Sequence, residues 1–190
     1  MDVTGLGEDE LALALKAGNE YAFDEIVRRC QGRVYAVAYR LTSNREDALD
    51  VAQEAFLKVY RKIDAWKPRG GFVPWLLRLT TNQALDHLRR RKRRPQESLD
   101  ASPGEPAAPG GTQATDTDRL VGALEIEERV QSALEVLSPS QRAVFVMRHY
   151  EGLQLSEIAD VLGCTLGSVK VHLFRALKKL QVELEDLYRS

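Results

Sequence analysis

The sequence predicts an all-α protein: two small helical domains joined by a flexible linker, the C-terminal one containing a helix-turn-helix. Three observations carry this expectation. Apolar residues recur at helical spacing on both sides of residues 95–117, and no segment alternates polar and apolar as a half-buried strand would. Residues 95–117 themselves hold Pro95, Pro103, Pro106, Pro109, Gly104, Gly110 and Gly111, with one leucine, Leu99, and no aromatic. Such a stretch cannot bury enough apolar surface to offset its ordering entropy, so it predicts a tether. Finally, Gly163-Cys164-Thr165 punctuates two helical patterns, which together make a helix-turn-helix. The expected division is therefore 1–94, 95–117 and 118–190.

Taken in order, a short helix is expected from Asp9 to Lys16, ending near Gly18, with Asn19 capping the next. Phe23, Ile26, Val27, Cys30, Val34, Val37, Ala38 and Leu41 give that second helix its apolar stripe. Ser43-Asn44-Arg45-Glu46 has the form of a capping box and opens a third helix, which buries Ala48, Ala52, Ala55, Phe56, Val59 and Ile63. Trp66-Lys67-Pro68-Arg69-Gly70-Gly71 breaks the pattern as a loop. A fourth helix is expected to start near Pro74 and to run into the arginines. Beyond the linker, one helix spans Asp118 to Leu137. Ser138-Pro139-Ser140-Gln141 offers an N-cap, a first-turn proline and a capping-box glutamine for the next, which ends near His149. A short helix, Leu155 to Leu162, and a long one from Leu166 toward Tyr188 complete the chain. The long helix has an inward stripe of Val169, Leu173, Ala176, Leu177, Leu180 and Leu184.

Composition narrows the function classes. Hydrophobic residues at 44% and charged residues at 29% suit a helix-rich protein with real cores rather than a disordered chain. Apolar runs are too short to cross a bilayer, so no membrane insertion is expected. The acidic start, Met1 to Glu10, lacks the basic flank and apolar run of a secretory signal. Cys30 and Cys164 form no pair or motif and read as small buried thiols, consistent with a reducing cytoplasm. The three histidines are scattered, and no metal, cofactor or catalytic constellation is expected. Net charge is only −1, but its distribution is uneven. From Lys67 to Arg94 every charge is positive except Asp86. From Pro95 to Asp118 every charge is negative.

Three segments carry chemistry. The second helix of the helix-turn-helix, capped by Thr165, shows Gly167, Lys170, Val171, Phe174, Arg175 and Lys178 away from its apolar stripe; with Thr165 and Ser168 at its head, these last five are the candidates for DNA contact. A solvated face has no use for Val171 and Phe174 between cations. A groove-reading helix does: cations suit phosphates and guanine edges, apolar groups suit thymine methyls. The second segment is the basic run Arg89 to Arg94, with Trp66, Arg69, Phe72, Trp75, Arg78, Asn82 and Gln83 upstream. Cations beside aromatics and amides suit phosphates and unstacked bases, although Trp66 and Trp75 compete as core residues and at least one of them is expected to be mainly core. The third is an acidic helix face, Asp47, Asp50, Gln53 and Glu54 with Leu57, which suits a basic protein partner.

In this order and spacing the segments resemble an extracytoplasmic-function (ECF) sigma factor of the sigma-70 family. The resemblance runs from about Glu20 to Leu184. It is carried by Asp47-Ala48-Leu49-Asp50-Val51-Ala52-Gln53-Glu54-Ala55-Phe56-Leu57, by Phe72-Val73-Pro74-Trp75-Leu76 through Asn82 to Asp86, and by Leu137-Ser138-Pro139 with Glu157-Ile158-Ala159 and Gly167-Ser168-Val169-Lys170. It implies a transcription initiation factor without enzymatic activity. Its partners would be core RNA polymerase (the clamp helices of the largest subunit and the flap of the second), promoter DNA and, as in many family members, an anti-sigma factor.

The resemblance also implies roles. The acidic helix would dock on the clamp helices, with Asp50, Gln53, Glu54 and Phe56 at matching positions, Phe56 lying on the apolar stripe. Residues 66–72 and the helix after them would melt the minus-ten element and capture a flipped base, with Arg78 and Asn82 near that strand and Arg89 and Arg90 beyond. The last helix would read the minus-thirty-five element, chiefly through Lys170, Phe174 and Arg175. The acidic linker suits either the polymerase cleft or a plain tether. One departure is Gln154, which stands where the family often has a serine or threonine cap. The alternative reading is a stand-alone helix-turn-helix regulator, which would bind symmetric sites as a dimer and leave the acidic face and the aromatic-basic segment unexplained. A recombinase with a DNA-binding tail lacks any nucleophile cluster.

Overall fold

Residues 3–93 and 129–185 are described by the computed structural model, apart from the side chain of Arg93. The linker, the start of the helix expected from Asp118 and the run toward Tyr188 lie outside them. Backbone contacts divide the chain into two compact units, Met1–Pro95 and Gln96–Ser190. All regular elements among the described residues are helical.

In the N-terminal unit, α1 (Glu8–Lys16) begins where the Glu10 carboxylate accepts a hydrogen bond from the Gly7 N–H at 2.8 Å. The Asn19 side chain accepts from the Tyr21 N–H at 3.1 Å and starts α2 (Glu20–Thr42), as expected. The next junction differs from the expectation. Ser43 does not cap α3 (Arg45–Lys62); it closes α2 in the left-handed region, at φ 53°, and Asn44 accepts from the Asp47 N–H at 3.0 Å. No loop separates the two helices. A residue that ends one helix left-handed cannot also hold the extended backbone of an N-cap, so the cap falls to Asn44 at φ −143°.

After α3 the chain makes two short 3₁₀ turns, Ile63–Ala65 and Pro68–Gly70, and enters α4 (Phe72–Arg93). The fourth helix thus begins two residues before Pro74. Proline is tolerated there because first-turn N–H groups have no intrahelical acceptor. Gly71, at φ +71°, makes the entry turn that a side chain would strain. The core unites Leu11 and Leu15 of α1, Ile26 and Val34 of α2, Phe56 and Val59 of α3, Trp66, and Phe72 and Leu76 of α4. Val51 is buried on α3 while Ala52, expected inside, is only half-buried.

The C-terminal unit contains α5 (described part 129–135), α6 (Pro139–His149), α7 (Leu155–Leu162) and α8 (Leu166–Glu183). The capping box at Ser138 forms as expected: its Oγ accepts from the Gln141 N–H at 3.4 Å, and Gln141 Oε1 accepts from the Ser138 N–H at 3.2 Å. At α7 the Glu157 carboxylate takes the Gln154 N–H at 2.7 Å, so the helix start is held from inside the first turn despite the absence of a serine or threonine. Gly163, left-handed at φ 61°, closes α7, and Thr165 Oγ1 accepts from the Ser168 N–H at 3.2 Å to open α8. α6, α7 and α8 pack on one another. From α8, Val169, Ala176 and Leu180 are buried and Leu173 half-buried, but Leu177 is exposed, against expectation. At about 100° per residue it lies roughly 80° around the helix from Val169, beyond the reach of so small a core.

Candidate nucleic-acid and protein interfaces

α3 lays Asp50, Gln53 and Glu54 on its exposed side. They line one wall of a shallow polar groove whose other wall holds Gln83, His87 and Arg90 of α4. Lys58 donates to Gln83 Oε1 across it. Asp47, expected on the same free face, is instead turned to α4. Its Oδ1 lies 2.9 Å from His87 Nε2 and its Oδ2 accepts from Arg91 Nη1 at 2.7 Å. It is thereby occupied within the unit and corrects that part of the expectation. Leu57 is partly exposed, and Leu49 and Tyr60 on the same side are more so, at 53% and 48%. Sequence reasoning missed these two. Leu49, Gln53 and Leu57 form an i, i+4, i+8 row, so an apolar residue off the buried stripe was the available signal. Phe56 is buried in the core.

The second surface is built on the α3–α4 connection. Trp66 and Phe72 were both candidates to meet bases, with at least one of Trp66 and Trp75 expected to be mainly core; Trp66 is that core residue, and Phe72, against expectation, is buried as well. Trp66 is 1% exposed, Phe72 is 0% exposed, and their rings meet edge to face at 5.9 Å. Rings this buried offer no face to a base. They act from beneath: the Trp66 Nε1–H donates to the Gly71 carbonyl at 3.2 Å and closes the loop at its base. Lys67, Pro68, Arg69 and Gly70 stand exposed above it. Trp75 is half-buried against Phe72, at 5.9 Å. By helical spacing Trp75, Arg78, Asn82 and Arg89 follow one face of α4 away from the loop. Arg78 and Arg90 are exposed, Asn82 is half-buried, and Arg89 carries a solvent-exposed pair with Asp86 at 3.1 Å.

The third surface is α8. Lys170, Val171, Phe174, Arg175 and Lys178 are all exposed, Phe174 to 69%. At about 100° per residue they fall within roughly 140° of one face. Thr165 and Ser168 stand at the head of that face with their hydroxyls 2.9 Å apart, engaged in the cap. The cysteines are quieter. Burial pushes the Cys30 thiol above its ordinary value, which makes it a packing residue rather than a nucleophile. Cys164 is half-buried in the turn. No helix among the described residues is long and apolar enough to cross a membrane.

Comparison with known proteins finds matches in both units. The family model for Sigma-70 region 2 matches residues 26–94, and the model for Sigma-70, region 4 matches residues 127–180. The RNA polymerase sigma-H factor of Pseudomonas aeruginosa is 31% identical over 96% of each chain. The ECF RNA polymerase sigma factor SigW of Bacillus subtilis is 32% identical over 91% of this chain and 94% of its own. The ECF RNA polymerase sigma-E factor of Escherichia coli is 30% identical over 97% of both. Among solved structures, CnrH in complex with the cytosolic domain of CnrY superposes with a TM-score of 0.66 at 26% identity, covering 94% of this chain and 97% of that one. The sigma factor RpoE of Bartonella quintana, in complex with the anti-sigma factor NepR, shares the fold, with a TM-score of 0.64 at 24% identity over 86% of this chain and 96% of that one. The chain therefore belongs to the sigma-70 family, as an ECF sigma factor, a class of transcription initiation factor.

Proposed function

We propose that this alternative sigma factor brings core RNA polymerase to promoters with two separated elements and opens the DNA at one of them. The observation that carries the reading is α8: Phe174 and Val171 are exposed between Lys170, Arg175 and Lys178 on the second helix of a helix-turn-helix. Leaving those apolar groups in water is unfavourable, and a major groove offers them thymine methyls while the cations take phosphates or guanine edges. In this reading α8 reads the minus-thirty-five element. The exposed loop Lys67 to Gly70 receives an unpaired base of the minus-ten element. Trp75, Arg78, Asn82, Arg89 and Arg90 guide the strand along α4. Asp50, Gln53, Glu54 and Leu57 meet the polymerase clamp helices. Residues 1–94 and 118–190 act as the two binding modules, 95–117 as the tether, and the flap of the second polymerase subunit as the support for the C-terminal module.

Capturing a base holds open a duplex whose unpairing costs on the order of a few kcal/mol per base. Polymerase supplies the bond-forming chemistry, so the factor needs no catalytic group, and its place of action is the cytoplasm, with the chromosome. As the family resemblance implies, a partner of the anti-sigma class binds it.

The test is run-off transcription with purified core polymerase on a pool of promoter fragments. The expected result is specific initiation that is lost when Asp50 and Glu54 are both changed to lysine while thermal unfolding is unchanged. Initiation indifferent to that reversal would sink the docking face. Specific binding to a symmetric DNA site without polymerase would favour the stand-alone regulator.

A further inference from the structure

The helix that precedes the region 2 match grips the candidate base-capturing loop at both ends. Lys16, the last residue of α1, donates from Nζ to the Asp64 carbonyl at 2.9 Å and to the Trp66 carbonyl at 3.1 Å. These are the backbone groups on which the chain enters the loop. Asp9, in the first turn of α1, accepts from the Phe72 N–H at 2.6 Å through Oδ1. That N–H opens α4, where the chain leaves the loop. The residue just before it is Gly71, which has no side chain to cap with, so the cap of α4 is supplied by a residue 63 positions away. A carboxylate at a helix N-terminus is favoured by the helix dipole, and a cation suits carbonyls that have lost their helical partners.

α1 is itself firmly seated. Leu11 and Ala12 are fully buried and Leu15 nearly so. The two grips lie about two turns apart on one rigid rod, so they set the distance between the loop's ends. Between those ends, the Trp66 indole bonds to the Gly71 carbonyl from below. The exposed tip, Lys67 to Gly70, thus stands on a base whose width is dictated by α1, and a pocket for a single base tolerates little error in that width.

We propose that Asp9 and Lys16 are positioning residues for the minus-ten loop: α1 is a brace that holds the loop in the shape that selects and captures the flipped base. This rests on the reading of residues 67–70 as the capture loop. Neither residue touches DNA in this scheme. Their effect is on discrimination between bases, and less on affinity for polymerase or for the minus-thirty-five element.

The experiment uses the full chain with core polymerase on promoter templates in which each minus-ten position carries each of the four bases in turn. Opening is read by permanganate reactivity of unpaired thymines, placed outside the varied position. The measured quantity is the ratio of opening rates for the preferred and the other bases. Asp9→Ala and Lys16→Met are expected to flatten that ratio by about tenfold or more, the scale on which small misplacements act. Core binding should be unchanged. Asp9→Asn keeps an acceptor oxygen and is expected to retain most of the preference. A purely structural role would lower opening on all templates alike and leave the ratio intact, and that outcome would overturn the proposal. If Asp9→Ala fails to fold, Lys16→Met and Asp9→Asn carry the comparison. Arg69→Ala separates the two levels of argument. A ratio altered by Arg69→Ala but indifferent to the α1 variants refutes the brace alone. A ratio indifferent to all of them refutes the capture-loop reading, and the brace with it.

Discussion

Glu25 is a single side chain that ties the N-terminal arm to the body. Its carboxylate accepts from Arg28 Nε at 2.7 Å and from Arg29 Nε at 2.6 Å, and Arg29 reaches on to the carbonyls of Leu6 and Thr4, both at 2.6 Å. The hydrogen bonds from Arg28 and then Arg29 hold its carboxyl at about 2, well below the ordinary 4.5, against a smaller opposing contribution from burial. A depressed carboxylate contributes stability that is fully present above its unfolded value and is lost as pH falls through the folded one. Glu25→Gln should therefore lower the urea midpoint at pH 7. The gap to the wild type should narrow from about pH 4.5 downward toward pH 2. A gap that is constant across that range would show that the charge contributes nothing. At this same scale the aromatics were only partly legible. The outward position of Phe174 followed from its place on α8. A core tryptophan was expected, and Trp66 is it; Phe72 looked like a base platform from its cationic neighbours, yet it is buried against Trp66.

Among the elements, helix boundaries set by local chemistry were well anticipated. Asn19, Ser138 and Thr165 all cap the helices their sequence context suggested. The misses came where two elements meet without a loop, as at Ser43 and Asn44, or where a helix is capped from elsewhere, as α4 is by Asp9. The cap of α8 makes a clear prediction. Thr165→Ala removes the acceptor for the Ser168 N–H and should cost about 1 kcal/mol of C-terminal unit stability, measured by denaturant unfolding. The exposed face of α8 should be otherwise intact, so binding at saturating DNA should be retained. Loss of DNA binding without loss of stability would mean that the Thr165 hydroxyl contacts DNA directly.

For the whole molecule, the two compact units define what can be separated. Among the described residues, the N-terminal core draws on buried side chains from Val3 to Leu76. About a hundred residues with one such core is an ordinary domain. A fragment of residues 1–95 should unfold in a single cooperative transition and bind core polymerase within a few-fold of the full chain. Promoter-specific initiation should still require the rest of the chain. A fragment that is unfolded in isolation, or one that no longer binds polymerase, would contradict this division of labour.

The sequence by itself determined the helical class, the two-part division, the helix-turn-helix, most caps and the apolar and charged faces of α3 and α8. Each of these follows from residues within one or two helical turns of one another, where spacing is physics enough. Only the tertiary structure decided that Asp47 is taken up by His87 and Arg91, that Leu177 lies outside the core, that Trp66 and Phe72 support the loop from beneath, and that α1 grips that loop at both ends. Those outcomes join residues about 40 to 63 positions apart, or depend on which side chains a loop covers and on how wide a core the C-terminal helices can enclose. Periodicity along the chain carries no record of which side chains packing will bring together.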